Sequence, residues 1–77
     1  MTNRERITRI IKKHAQNGGV ADAEESLFES GYLDSFALPD VIGDLEGEFG
    51  IKIPDSDLNP RKFDSISRIE SYIESRL

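Results

Sequence analysis

Gly31-Tyr32-Leu33-Asp34-Ser35-Phe36-Ala37-Leu38-Pro39-Asp40-Val41-Ile42-Gly43-Asp44-Leu45-Glu46-Gly47-Glu48-Phe49-Gly50-Ile51-Lys52-Ile53-Pro54-Asp55 is the stretch that decides the fold. Within it Leu38, Val41, Ile42, Leu45 and Phe49 fall in a narrow arc at about 100° per residue, the pattern of a helix with one buried face. Asp40, Asp44 and Glu48 follow at four-residue steps on a separate stripe, with Phe36, Gly43 and Gly47 beside it. The predicted helix runs from about Ser35 to Phe49 and is irregular until Leu38, because Pro39 is tolerated only near a helix start. On that register Phe36 points outward. Gly50 ends the helix, and Ile51-Lys52-Ile53-Pro54 reads as an extended link, since no second strand signal exists to pair with it.

Working outward, Thr2-Asn3-Arg4-Glu5 fits a capping box, and Ile7, Ile10, Ile11 and Ala15 recur at helical spacing behind it. Asn17-Gly18-Gly19 is the expected stop of this first helix. Residues 17–33 form a long connection, which a compact domain has to pin; Leu27, Phe28, Tyr32 and Leu33 are the expected pins. Asn59-Pro60 suits a short turn of helix. Asp64 or Ser65 caps a last helix in which Ile66, Ile69, Ile73 and Leu77 keep the spacing, with Tyr72 near their edge. The expected fold is all-α: one small domain over residues 1–77, built as a bundle of three main helices and one minor helix, with a long loop between helices 1 and 2.

Composition narrows the function. Seventy-seven residues leave room for one modest core. The absence of cysteine removes disulfides, zinc ribbons and native thiol chemistry, and the lone His14 rules out a multi-histidine metal site. The net charge of −5 is unevenly spread. Residues 1–17 hold five bases and one acid, residues 18–60 eleven acids and one base (Lys52), and residues 61–77 four bases and three acids. Such acidity argues against nucleic acid and anionic membranes and for a basic protein partner. The basic start lacks the apolar run of a signal peptide, and no stretch is long enough to span a membrane, so a cytoplasmic, monomeric protein is expected.

Two weak motifs fail. Asp55-Ser56-Asp57-Leu58-Asn59 starts like a calcium loop, but Pro60 and Ile66 stand where glycine and a bidentate glutamate are needed. Gly18-Gly19 lacks the surroundings of a phosphate loop. His14, on a basic helix, fits a solvated or core-edge position better than a catalytic one.

Asp34-Ser35-Phe36 taken alone is a helix cap before an apolar-periodic run. Its surroundings add to that. Gly31 to Phe36, followed by Leu45-Glu46-Gly47-Glu48-Phe49-Gly50-Ile51-Lys52-Ile53-Pro54-Asp55 in the same order and spacing, resembles the acyl and peptidyl carrier protein family. Phe63-Asp64-Ser65-Ile66 and Tyr72-Ile73 resemble the entry to, and end of, that family's last helix. The resemblance implies a discrete carrier of acyl or aminoacyl cargo, not an enzyme. Ser35 matches the serine that a phosphopantetheinyl transferase modifies with 4′-phosphopantetheine from coenzyme A, and the cofactor's thiol then holds cargo as a thioester. An anion on Ser35 would also suit a helix N-terminus. A chain without cysteine would have to borrow its thiol.

Asp34 has two compatible roles: a helix-start charge worth ~0.3–1 kcal/mol, and, by the resemblance, recognition by the transferase. The resemblance further makes the second helix a docking face for ligases or synthases with basic patches, with Phe36, Asp40, Asp44 and Glu48 as the candidate contacts. Exposed charges there would govern encounter and partner choice more than affinity. Departures from the family pattern are Phe36 in place of leucine, Ala37 in place of a polar residue, and Pro39, Gly43 and Gly47 within the helix. Glycines that let a partner approach closely and glycines that merely drifted both fit. Residues 28–36 look similar to carriers that serve amino-acid ligases, including D-alanyl carriers. Fatty, polyketide and aminoacyl cargo all stay open, in lipid or secondary-metabolite biosynthesis. The rival reading is a carrier-like module that binds a basic partner through its acidic second helix and is never modified.

Overall fold

The computed structural model describes residues 2–15, 22–34 and 36–77. Three helices carry the fold: α1 (Asn3–His14), α2 (Leu38–Phe49) and α3 (Ile66–Arg76), with a single turn of 3₁₀ helix at Asp55–Asp57 between the last two. No strand occurs among the described residues.

Each helix starts and stops for local reasons. Thr2 caps α1, its hydroxyl accepting the Glu5 N–H at 3.1 Å, and Lys12, Lys13 and His14 place basic groups at the negative end of the helix dipole. Ala15 is the C-cap, so the helix closes before the predicted Asn17-Gly18-Gly19 stop, which lies outside the described residues. Ser65, not Asp64, caps α3 by accepting the Arg68 N–H at 3.1 Å. Gly50 ends α2 at φ +65°, a left-handed conformation that favours glycine.

Regular α2 begins at Leu38, the residue up to which the sequence predicts an irregular start. The Ala37 N–H is taken by Asp34, through its carbonyl at 3.1 Å and its Oδ1 at 2.9 Å, which closes a turn ahead of the helix. Pro39 in addition lacks the N–H that an earlier helix would donate back to residue 35. The minor helix also falls elsewhere than predicted. It forms after Pro54, whereas Asn59 makes a local turn, its Oδ1 accepting the Arg61 N–H at 2.9 Å and its carbonyl the Lys62 N–H at 2.9 Å.

The core joins Ile7, Ile10 and Ile11 of α1, Leu38, Val41, Ile42 and Leu45 of α2, and Ile66, Ile69 and Ile73 of α3. Helix α1 packs against both of the others. The connections complete the core with Leu27, Leu33, Ile53 and Phe63, all buried, and the Phe63 ring stands edge-on to Tyr72 at 5.1 Å. The loop pins therefore act as predicted: Leu27 and Leu33 are buried, with Phe28 and Tyr32 half-buried against the core.

Candidate functional site

The segment before α2 is held from both sides. The Leu33 N–H donates to the Leu27 carbonyl at 3.0 Å and the Leu27 N–H to the Asp64 carbonyl at 2.6 Å. The Asp64 Oδ1 accepts from the Ser26 hydroxyl at 2.8 Å and the Phe28 N–H at 3.3 Å. Gly31, at φ +81°, reverses the chain between these anchors. The loop is thus sewn to the N-terminus of α3, and it delivers Asp34 and Phe36 to the surface just ahead of α2. Ser35 lies outside the described residues. Its neighbours do not: Asp34 is exposed and Phe36 is 89% exposed, an uncommon state for a phenylalanine. Phe36 therefore points outward as predicted, from the turn rather than from the helix.

The four expected docking residues separate into two pairs. Phe36 and Asp40 are exposed, and Asp40 has no ion pair among the described residues. Asp44 and Glu48 turn toward α1. The Asp44 Oδ2 receives His14 Nε2 at 2.7 Å and Lys13 Nζ at 3.3 Å. These contacts, the His14 hydrogen bond foremost, hold its carboxyl below the usual carboxylate range. The Glu48 Oε2 accepts from Arg6 Nε at 2.7 Å. The basic first helix and the acidic second helix thus neutralise part of one another. His14, half-buried at this junction, sits at the core edge as predicted.

Two acids whose roles the sequence did not reveal are Glu46, at the far end of α2, and Asp57, in the 3₁₀ turn. The Glu46 carboxylate accepts the Ile53 N–H at 2.8 Å, and the Glu46 carbonyl accepts the Gly50 and Ile51 N–H groups at 2.9 and 3.3 Å. An acid in the last turn opposes the helix dipole unless it has another task, and that was the available signal. Asp57 receives Lys62 Nζ at 2.8 Å, Arg76 Nη2 at 2.6 Å and the Tyr72 hydroxyl at 2.6 Å. Its carboxyl is held far below the usual range, by the Lys62 hydrogen bond first. Burial, with the Asp57 contact, raises the Tyr72 hydroxyl. Asp57 is thus a clasp between the 3₁₀ turn and α3. No group of three metal-ligating side chains occurs among the described residues.

A hydrogen-bonded loop, with Asp34 and Phe36 exposed at its end and a helix immediately behind them, leaves the start of α2 open to solvent. The comparisons agree. The profile of a family described as a phosphopantetheine attachment site matches residues 5–73, and the chain belongs to that family. It is similar to an acyl carrier protein of Thermotoga maritima, 35% identical over 82 aligned positions that cover 100% of this chain and 99% of the relative. It is also similar to D-alanyl carrier proteins. One, of Leuconostoc mesenteroides, is 28% identical over 97% of this chain and 96% of its own length. Another, of Leuconostoc citreum, is 33% identical over 68% and 67%. The protein is accordingly a carrier rather than a catalyst, and the prosthetic group of its family is covalent 4′-phosphopantetheine. The described residues fit such a group, since Asp34 and Phe36 are both exposed just ahead of α2. No helix among them is long and apolar enough to cross a membrane.

Proposed function

We propose that the protein is a discrete cytoplasmic carrier whose Ser35 bears the phosphopantetheine arm. The observation that supports this most is the family match across residues 5–73, with Asp34 and Phe36, the neighbours of Ser35, both exposed ahead of α2. The group supplies a thiol on which acyl or aminoacyl cargo is held as a thioester. The chain's own residues do the presenting. The Leu27–Asp64 and Leu33–Leu27 bonds fix the loop in front of the attachment point, and Asp34 closes the turn behind it while offering an exposed carboxylate to the modifying enzyme. The partners are a phosphopantetheinyl transferase and a cargo-activating ligase or synthase that meet the outer side of α2.

Similarity to an acyl carrier and to D-alanyl carriers leaves both cargo classes on the table. A protein-binding module that is never modified is not favoured by membership of a phosphopantetheine family. The test is intact-mass measurement after incubation with coenzyme A and a broad-specificity transferase. The wild-type chain should gain one phosphopantetheinyl mass and Ser35→Ala none. No gain in the wild type, or an equal gain in the variant, overturns the assignment.

A further inference from the structure

We infer that the outer face of α1, where Arg9, Lys12 and Lys13 stand together, is an interaction surface for a short acidic segment of a partner protein. This surface belongs to a different helix from the one that follows Ser35, and it does not depend on Ser35 being modified.

The chain carries −5 overall, yet these three cations fall within a little over one turn of helix. Spacings of three and four put them on one side of α1, where like charges repel. All three are exposed. Their one ion pair among the described residues joins Lys13 Nζ to Asp44 Oδ2 at 3.3 Å, and that carboxylate is shared with His14. The Lys13 side chain stays 69% exposed in spite of the pair. Residues 16–21, which follow the helix, contribute no acid. The helix dipole accounts for Lys12 and Lys13 in the last turn, but not for Arg9, which precedes that turn. A cluster that repels itself and shares one carboxylate is complementary to acids brought from outside.

There is room beside the cations. Arg9 and Lys13 border an open groove whose far side is formed by Gly43 and Gly47. A Cβ built at either glycine meets nothing within 4 Å, so an extended segment fits alongside α1 within reach of both cations. The size of the patch selects the kind of partner. Most of the remaining molecule is acidic, and exposed charges are screened beyond about 8 Å at physiological salt. A broad polyanion, such as a duplex or an anionic bilayer, would meet those acids as well; a short acidic segment meets α1 alone.

The test titrates a hexaglutamate peptide into the isotope-labelled full chain and follows backbone amide shifts. At about 20 mM salt the amides of residues 9–13 should move together, and at about 200 mM the affinity should fall several-fold. Arg9→Gln with Lys12→Gln should weaken binding by about fivefold or more. Lys52→Gln with Arg61→Gln removes the same charge from exposed residues elsewhere and should leave binding within about twofold. Urea unfolding of both double variants checks that each is folded. No movement of the residue 9–13 amides at low salt, or equal weakening in the two double variants, overturns the inference. Tighter binding to phosphatidylglycerol vesicles than to the peptide overturns the acidic-protein assignment. The titration uses the unmodified chain, so its outcome is separate from the mass measurement that decides the carrier reading.

Discussion

Arg6 and Glu48 are joined twice. The Arg6 Nε donates to the Glu48 carboxylate at 2.7 Å, and its Nη2 donates to the Glu48 backbone carbonyl at 2.6 Å, near the C-terminal end of α2. The same guanidinium lies 4.3 Å from the centre of the Phe49 ring. One side chain of α1 thus pairs a charge, satisfies a carbonyl in the last turn of α2 and covers an aromatic face.

Removing that side chain should cost more than a surface ion pair ordinarily does. Arg6→Ala is expected to lower unfolding free energy by about 1–2 kcal/mol, as the carbonyl bond and ring contact go with the pair. Arg6→Lys should recover less than half, because an ammonium cannot span carboxylate and carbonyl as a planar fork does. Urea denaturation of the two variants measures both; equal stability of Arg6→Ala and wild type would remove the clasp from the account.

The glycines of α2 differ sharply from the one that ends it. A Cβ built at Gly43 or Gly47 meets nothing within 4 Å. Gly43→Ala and Gly47→Ala should therefore each stabilise the fold by up to about 1 kcal/mol through helix propensity. Gly50→Ala should destabilise it, since Gly50 sits at φ +65°. Thermal melts of the three variants check the opposite signs.

Acid should loosen the molecule through Asp57 and Asp44. Both carboxyls titrate lower in the folded chain than in the unfolded one. Their stabilisation is therefore complete above the ordinary carboxylate pKa of about 3.9 and is lost as pH falls through the depressed folded values. Asp57→Asn should be less stable than wild type near neutral pH and converge with it in strong acid. A constant difference across a pH series of denaturation curves would contradict this.

The loop in front of α2 should depend on Asp64. Asp64→Ala removes the acceptor of the Ser26 hydroxyl and the Phe28 N–H and should cost about 1–3 kcal/mol. Asp64→Asn, which keeps one carbonyl acceptor, should cost less. Amide hydrogen exchange reads the effect directly: Phe28 should lose protection in Asp64→Ala, whereas amides in the middle of α1 should keep theirs relative to global stability.

How much of this could be read from the chain follows from the range of the interactions. The three helices, their buried faces and the glycine that ends α2 are written in residues three or four apart, where sequence spacing equals spatial neighbourhood. Asp34-Ser35-Phe36 as the candidate site was legible for the same reason, since motif and flanks are contiguous. The irregular entry to α2 before Leu38 was legible in Pro39, whereas the bond from the Ala37 N–H to Asp34 that fills it was not. Pairings over long sequence distances were out of reach: Arg6 with Glu48, His14 with Asp44, Ser26 with Asp64. Four-residue spacing put Asp40, Asp44 and Glu48 on one stripe, but the placement of α1 beside α2 decided which of them face a cation and which faces solvent. The sequence by itself determined an acidic helix behind Asp34-Ser35-Phe36; only the tertiary structure divided that acidity, because the packing of α1 sets cations beside Asp44 and Glu48 and, among the described residues, none beside Asp40.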